Sequence, residues 1–296
     1  MIRAHRCATI ATLSILALAT CVAQPAMERM SIEGGAGAGD WTTAEADATT
    51  SDLHAELGDE SLLLHIDVNH ETGEIKYPIG WPRIYLDIPE ELRDWQGYDY
   101  LELSVHTESS RDDLPSKGLG MILYTPDKAR QYQRNLTELT VGETSSIVIP
   151  LSEIARHGNV TRMQFYISES EFKHGDVLDF FIDDIALTRF AEPALSEVVA
   201  LQSIAYDDAE HLGVKFRLLG LAQGEVAQVA ARLRQGDAVV AEGMWALERG
   251  THEAWLKLTQ APQPGVAQLD LFVGPPEEVA TIRIIPGPFN PKGGGE

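Results

Sequence analysis

The chain is predicted to be all-β, built as two successive antiparallel sandwiches, and three observations predict it. Nearly every periodic segment alternates apolar and polar residues with a period of two, turn residues punctuate these runs at short intervals, and helical periodicity is scarce. The 296 residues exceed what one small sandwich needs. A break at Ala191–Leu195 (AEPAL), where Pro193 interrupts the pattern, separates two strand-rich regions.

Taken in order, the chain opens on a leader. Arg3 and Arg6 precede the apolar run Ala8–Ala19, which has the length of a signal h-region and is too short to span a bilayer. Cys21-Val22-Ala23 suits a cut before Gln24, which makes residues 1–23 a signal peptide. Leu18-Ala19-Thr20-Cys21 resembles a bacterial lipobox and offers the other cut, leaving Cys21 lipid-anchored. The expected location is therefore secreted, periplasmic or at the cell surface, with a lipoprotein as the alternative. No later stretch is apolar enough for a transmembrane segment.

Gly34–Gly39 reads as a flexible loop. Ser61–Asn69 alternates with Leu62, Leu64, Ile66 and Val68 on one face and His65, Asp67 and Asn69 on the other. Arg83–Ile88 does the same, with Ile84, Leu86 and Ile88 inward and Arg83, Tyr85 and Asp87 outward. Tyr100–His106, Gly120–Thr125, Ser145–Ile149, Thr161–Ser168 and Asp179–Leu187 follow the same rule. Helical turns are expected at Pro89–Trp95 and Leu151–Arg156. Past the break, about seven strands run from Val198–Ser203 to Val279–Ile285. They include a hairpin of Val229–Arg234 and Ala238–Met244 around Gln235-Gly236-Asp237. The resulting division is a first sandwich over 28–190, a second over 196–286 and a disordered tail over 287–296.

Lys and Arg number 23 against 45 Asp and Glu, a formal charge of −22. Losing the leader removes Arg3 and Arg6 and no acid, which gives 21 − 45 = −24. That excess argues against nucleic acid as a partner and suits cations such as calcium. The only cysteines, Cys7 and Cys21, lie in the leader, so a chain beginning at Gln24 has no disulfide, thiolate nucleophile or cysteine-bound zinc.

Four segments carry a resemblance. They are Gly80-Trp81-Pro82-Arg83, Trp95-Gln96-Gly97-Tyr98-Asp99, Ile147-Val148-Ile149-Pro150-Leu151 and Phe181-Ile182-Asp183-Asp184-Ile185. In their order and spacing, from about Asp40 to Phe190, they resemble a carbohydrate-binding module of the galactose-binding-like jelly-roll type. The second region resembles the immunoglobulin-like or fibronectin-type sandwiches that accompany such modules. The resemblance implies a jelly roll that holds a polysaccharide or oligosaccharide on its concave outer face.

Sugar recognition needs flat rings to stack on pyranose faces and planar side chains to bond adjacent hydroxyls in pairs. The outward positions supply both: Arg83, Tyr85 and Asp87; His65, Asp67 and Asn69; Glu102, Ser104 and His106; Gln164, Tyr166 and Ser168. Tyr77 and Trp81 lie on the loop leading in. Lys128, Arg130, Gln131, Tyr132 and Arg134 follow Tyr124 as a basic cluster that points to an acidic or uronate-bearing glycan. Tyr77, Trp81, Arg83, Tyr85, Tyr124, Gln131, Tyr132, Arg134, Gln164 and Tyr166 form the expected ligand set. Alternate polar positions on any half-exposed strand would look similar.

Asp183 and Asp184 point to opposite faces of one strand, so one of them must be paired if buried. The resemblance implies a structural calcium held by Asp183 or Asp184 with Glu33 or Asp40; capping or turn roles for these acids remain open. Catalysis is the alternative function, since jelly rolls also host polysaccharide lyases and glycoside hydrolases. Glu171-Phe172-Lys173-His174-Gly175 is faintly similar to one lyase strand, but the Gln-x-His and Arg-x-Glu strands of that chemistry are missing. So are the Glu-x-Asp-x-x-Glu strand of jelly-roll glucanases, the Gly-x-Ser-x-Gly elbow, the His-Glu-x-x-His helix and a phosphate loop. A cell-surface structural or interaction protein is the second alternative.

Overall fold

The computed structural model describes residues 26–32, 40–56, 58–71, 79–127, 131–202, 204–206, 209–260, 263, 265–273 and 277–285. The leader with both its cut sites, Glu33 and the 34–39 loop, Tyr77, Lys128, Arg130 and the 287–296 tail lie outside the described residues. Among the described residues the chain is all-β, with only short helical turns among the strands.

The first unit has eleven strands among the described residues. They are β1 (Met27–Ser31), β2 (Thr42–Ala44), β3 (Asp47–Ser51), β4 (Ser61–Asp67), β5 (Arg83–Asp87), β6 (Tyr100–Ser109), β7 (Gly120–Tyr124), β8 (Tyr132–Asn135), β9 (Thr144–Pro150), β10 (Arg162–Tyr166) and β11 (Val177–Phe190). One sheet runs β3-β4-β11-β6-β9, with β1 also on β11; the other runs β2-β5-β10-β7-β8. From β4 to β7 and from β8 to β11 each successive strand changes sheet, the connectivity of a jelly roll. Alternation in the sequence becomes burial. Leu64, Ile66, Ile84, Ile88, Leu101, Leu103, Met163 and Phe165 are almost wholly buried between the sheets.

The second unit has eight strands among the described residues. They are β12 (Ala194–Ala200), β13 (Ile204–Tyr206), β14 (His211–Leu219), β15 (Val226–Gln235), β16 (Ala238–Glu248), β17 (Gly250–Lys257), β18 (Gly265–Phe272) and β19 (Glu277–Ile285). They form the sheets β12-β14-β17 and β13-β19-β18-β15-β16. Leu212, Val214, Phe216, Leu218, Val229, Leu233, Leu269 and Leu271 form a core separate from the first. Gln235 pairs with Ala238, so the β15–β16 hairpin closes on Gly236-Asp237. Gly236 has φ +57, as the first central residue of a two-residue hairpin requires.

The units meet at Asp99, the last residue of the Trp-x-Gly-Tyr-Asp segment, which is only 1% exposed. Its carboxylate accepts Phe190 N–H at 3.0 Å, Gly220 N–H at 3.1 Å and Arg249 Nη2 at 2.5 Å. Arg249 also donates to the carbonyl of Gln96 at 2.7 Å. One carboxylate thus ties the end of β11, the turn after β14 and the turn between β16 and β17.

Candidate functional site

Register converts the alternating strands of the five-stranded sheet into a grid on its outer face. With Ile84, Leu86, Met121, Leu123, Met163 and Phe165 inward, the residues between them face out. Gln164 lies beside Tyr85 on one side and Ile122 on the other. Tyr166 lies between Arg83 and Gly120, and Arg162 between Asp87 and Tyr124. β8 adds Gln133 beside Ile122 and Asn135 beside Gly120.

The side chains on this grid are held by one another. Trp81 and Tyr166 meet edge to face with ring centroids 5.5 Å apart, and the Arg83 guanidinium lies 4.9 Å from the Trp81 ring centre. Gln133 Nε2 donates to the Tyr166 hydroxyl at 2.6 Å, and Tyr124 donates to Gln164 Oε1 at 3.1 Å. Burial pushes the Tyr124 hydroxyl above its ordinary pKa, so it stays a neutral donor. Arg162 stacks 4.1 Å from the Tyr85 ring centre and bonds Asp87 at 2.6 Å, which raises its pKa further. Among the described residues Gln164 Nε2 is buried without a hydrogen-bond partner, a donor directly beside this network.

Trp81 is 41% exposed yet fixed from behind. Its N–H donates to Glu45 Oε2 at 2.5 Å, and the Gly80 N–H to Glu169 Oε2 at 2.8 Å. Buried Glu169 also accepts Asn69 N–H at 3.0 Å. A Cβ at position 80 would stand 2.6 Å from Glu169 Oε2, so only glycine lets the carboxylates grip this loop.

Two depressions lie at opposite ends of the face. One, of about 420 Å³, is lined by Trp81, Arg83, Ile79, Glu45, Ser168 and Ser170. The other, of about 710 Å³, is lined by Tyr124, Arg162, Asp87, Gln131 and Arg93 among others. Arg83 and Asp87 are four residues apart on one strand, about 13 Å at the usual rise. A chain-like ligand would span both depressions.

Of the sequence-predicted set, Trp81, Arg83, Tyr85, Tyr124, Gln131, Gln164 and Tyr166 come together here. Tyr132 and Arg134 do not. Their register partners are Leu123 and Met121, which face the core, so both sit on the inner side of edge strand β8. Tyr132 bonds Glu153 and Arg134 pairs with Glu138. The basic cluster expected after Tyr124 therefore puts no Arg134 charge on the face. Gln133 and Arg162 belong to the face and were absent from the expected set. Parity counted back from Tyr166 and Gln164 would have found Arg162. Gln133 sits in what reads from sequence as a loop.

His65, Glu102, Ser104 and His106 lie on β4 and β6, strands of the six-stranded sheet, and so on the opposite side of the sandwich. The acids proposed for calcium are engaged otherwise. Asp183 is buried, with one oxygen accepting Asp184 N–H at 2.7 Å and the other Glu56 N–H at 2.6 Å. Asp184, at φ +60 in a bulge of β11, pairs with Arg29. Asp40 is exposed on the approach to β2, in the other sheet. Calcium takes roughly six to eight oxygen ligands. Asp183 and Asp184 are already bonded to amides and an arginine, and exposed Asp40 lies by the other sheet, so these three do not converge on one ion.

No protein-family model matches the sequence, and no curated protein matches it. Solved structures do. A β-1,2-glucanase from Parabacteroides distasonis aligns at 14% identity and a TM-score of 0.36, over 89% of this chain and 37% of its own. This chain thus spans little more than a third of that enzyme. A carbohydrate-binding module specific for non-crystalline cellulose (CBM28) aligns at 13% identity and a TM-score of 0.35, over 53% of this chain and 91% of its own. The module CBM27-1 of Caldicellulosiruptor saccharolyticus, solved with mannohexaose, aligns at 15% identity and a TM-score of 0.32, over 54% and 97%.

On the opposite side of the sandwich, His65 Nδ1 bonds Asp179 at 2.6 Å and Nε2 lies 3.5 Å from Asp67. The bond to Asp179 outweighs partial burial and raises the His65 pKa above its ordinary 6.5. A histidine whose folded pKa is raised adds stability that is complete below the unfolded value and is lost as pH rises through the folded one. His65→Gln should therefore lower Tm more at about pH 6 than at about pH 8.5. A Tm difference that is equal at both, or larger at the higher pH, would show the pair does not hold the proton.

Proposed function

We propose that the chain is an exported protein that binds a polysaccharide, without cleaving it, along the outer face of the five-stranded sheet. The immunoglobulin-like second unit holds this module in place through Asp99. The observation that carries the reading is one continuous face on which the rings of Trp81, Tyr166, Tyr85 and Tyr124 interleave with planar polar groups of Arg83, Gln133, Gln164 and Arg162. A pyranose presents apolar C–H faces and hydroxyl edges, which such a face matches: rings take the faces, and guanidinium and amide groups take neighbouring hydroxyls in pairs. Arg83 adds a partner for a sugar carboxylate.

Affinity electrophoresis of the intact protein against neutral and uronate-bearing polysaccharides tests the reading. Trp81→Ala should weaken retention by a bound polysaccharide about tenfold or more. Arg134→Ala, on the inner side of β8, should leave it unchanged. The reverse pattern overturns the assignment of the face, and release of reducing ends or unsaturated uronates overturns binding without cleavage.

A further inference from the structure

Among the described residues, one group of three His, Cys, Asp or Glu side chains brings its donor atoms within 4.8 Å of one another: His54, His106 and Glu108. We infer that this group, on the outer face of the six-stranded sheet, is a binding site for a divalent transition-metal ion, with zinc the ion its ligands suit. His106 and Glu108 are two residues apart on β6 and so share a face. His54 comes from the turn after β3. Its Nε2 lies 3.4 Å from Glu108 Oε1, and His106 Nε2 lies 4.0 Å from the same oxygen. The two imidazoles stack with centroids 3.5 Å apart and planes 5° from parallel. Tetrahedral zinc with bonds of about 2.0–2.1 Å places its ligands roughly 3.3 Å apart. Both nitrogens thus stand near that spacing from the carboxylate already, and because parallel rings cannot both aim their in-plane lone pairs at one ion, one imidazole turns out of the stack on binding.

The surroundings prepare the donors. His106 Nδ1 lies 3.0 Å from Thr144 Oγ1; with Nδ1–H donating to that hydroxyl, Nε2 carries the free lone pair on the side of Glu108. His54 has φ +54, a left-handed backbone uncommon for a residue with a side chain. Three bonds hold the turn that imposes it: Leu53 N–H to Ser51 Oγ at 3.1 Å, Ser61 Oγ to the Leu53 carbonyl at 2.7 Å, and Glu56 N–H to buried Asp183 at 2.6 Å. The edge of Phe181, centroid 4.7 Å away, supports the His54 ring. These contacts hold the left-handed residue where its side chain meets two other potential ligands. Two imidazoles and one carboxylate favour zinc over calcium, which prefers oxygen throughout. Three protein ligands leave a fourth position for water. On this side of the sandwich the ion is remote from the proposed glycan face and would clip the turn after β3 onto β6.

Calorimetric titration of Zn²⁺ into the full chain, stripped with chelator, tests the site. One equivalent should bind and raise Tm, and excess Ca²⁺ should not displace it. His106→Ala and Glu108→Gln should each weaken binding more than about 100-fold, and Thr144→Val, which alters only the support of His106, about tenfold or more. His174→Ala, in the separate His70 and His174 pair, should bind as the intact chain does. Glu108 is exposed, so Glu108→Gln reports on the site even if a histidine variant fails to fold. Zinc affinity unchanged in Glu108→Gln, equal displacement by calcium, or no binding to the intact chain would each overturn the inference.

Discussion

Replacing Asp99 with alanine is expected to cost about 3–5 kcal/mol of stability and to separate the unfolding of the two units. The carboxylate is buried among three donors from different segments, one of them the guanidinium of Arg249, which is itself mostly buried. Alanine leaves that cation and two backbone N–H groups without their acceptor at once, and unsatisfied buried donors bear the full desolvation penalty. Arg249→Ala should be comparably damaging, because it leaves a fully buried anion unneutralised. The double variant should cost clearly less than the sum of the two, since either single change already breaks the pair. The turn contributed by the second unit has little freedom to adapt: Gly220 has φ +73, and a Cβ there would lie 2.2 Å from the Glu192 carbonyl oxygen. Calorimetry should show one transition in the parent chain and two in Asp99→Ala. A single transition shifted by less than about 1 kcal/mol would mean that other contacts join the units.

Asp99 also shows where sequence reading stops. The Trp-x-Gly-Tyr-Asp segment was legible as the approach to a strand, and its Trp95 is fully buried. The partners of Asp99 lie 91, 121 and 150 residues away, distances over which no local pattern carries information. The central strands were legible for the opposite reason. β4, β5 and β10 are covered on one face, so apolar alternation is enforced and parity tells which of Arg83, Tyr85, Gln164 and Tyr166 face out. Three edge strands escape this rule. β2, β3 and β8 (TTA, DATTS and YQRN) pair on one side only and bury little, so no alternation marks them as strands. That is why Tyr132 and Arg134 were assigned to the face and Gln133 was not. Parity also cannot say which sheet a strand joins. His65 and Arg83 both point away from the core, and only the crossover from β4 to β5 sends them to opposite sides of the molecule. The histidine pair at 54 and 106 was invisible for the same reason as Asp99.

Gly120→Ala is expected to weaken glycan retention about as much as Tyr166→Ala, roughly tenfold or more, although it adds a single methyl group. Gly120 and Tyr166 are register partners on β7 and β10, and the Tyr166 ring lies directly across the glycine. A Cβ at position 120 would meet Tyr166 Cζ at 2.4 Å, Cε1 at 2.5 Å and the hydroxyl at 2.7 Å. These are atoms at the far end of a flexible side chain, so the backbone can keep its place while the ring must leave. Gly120 is not at positive φ, so alanine carries no backbone strain there, and Tm should fall little. Leaving its seat, Tyr166 loses the 2.6 Å bond from Gln133 and its edge contact with Trp81, and the flat platform at this end of the face is gone. Tyr166→Ala removes the same platform by deletion. Combining Tyr166→Ala with Gly120→Ala should then add nothing beyond either change alone, because each abolishes one shared feature. Retention in affinity electrophoresis, with Tm recorded for each variant, decides the matter. Full retention by Gly120→Ala would place the ligand away from Tyr166, and losses that sum in the double variant would mean the two residues act on it separately.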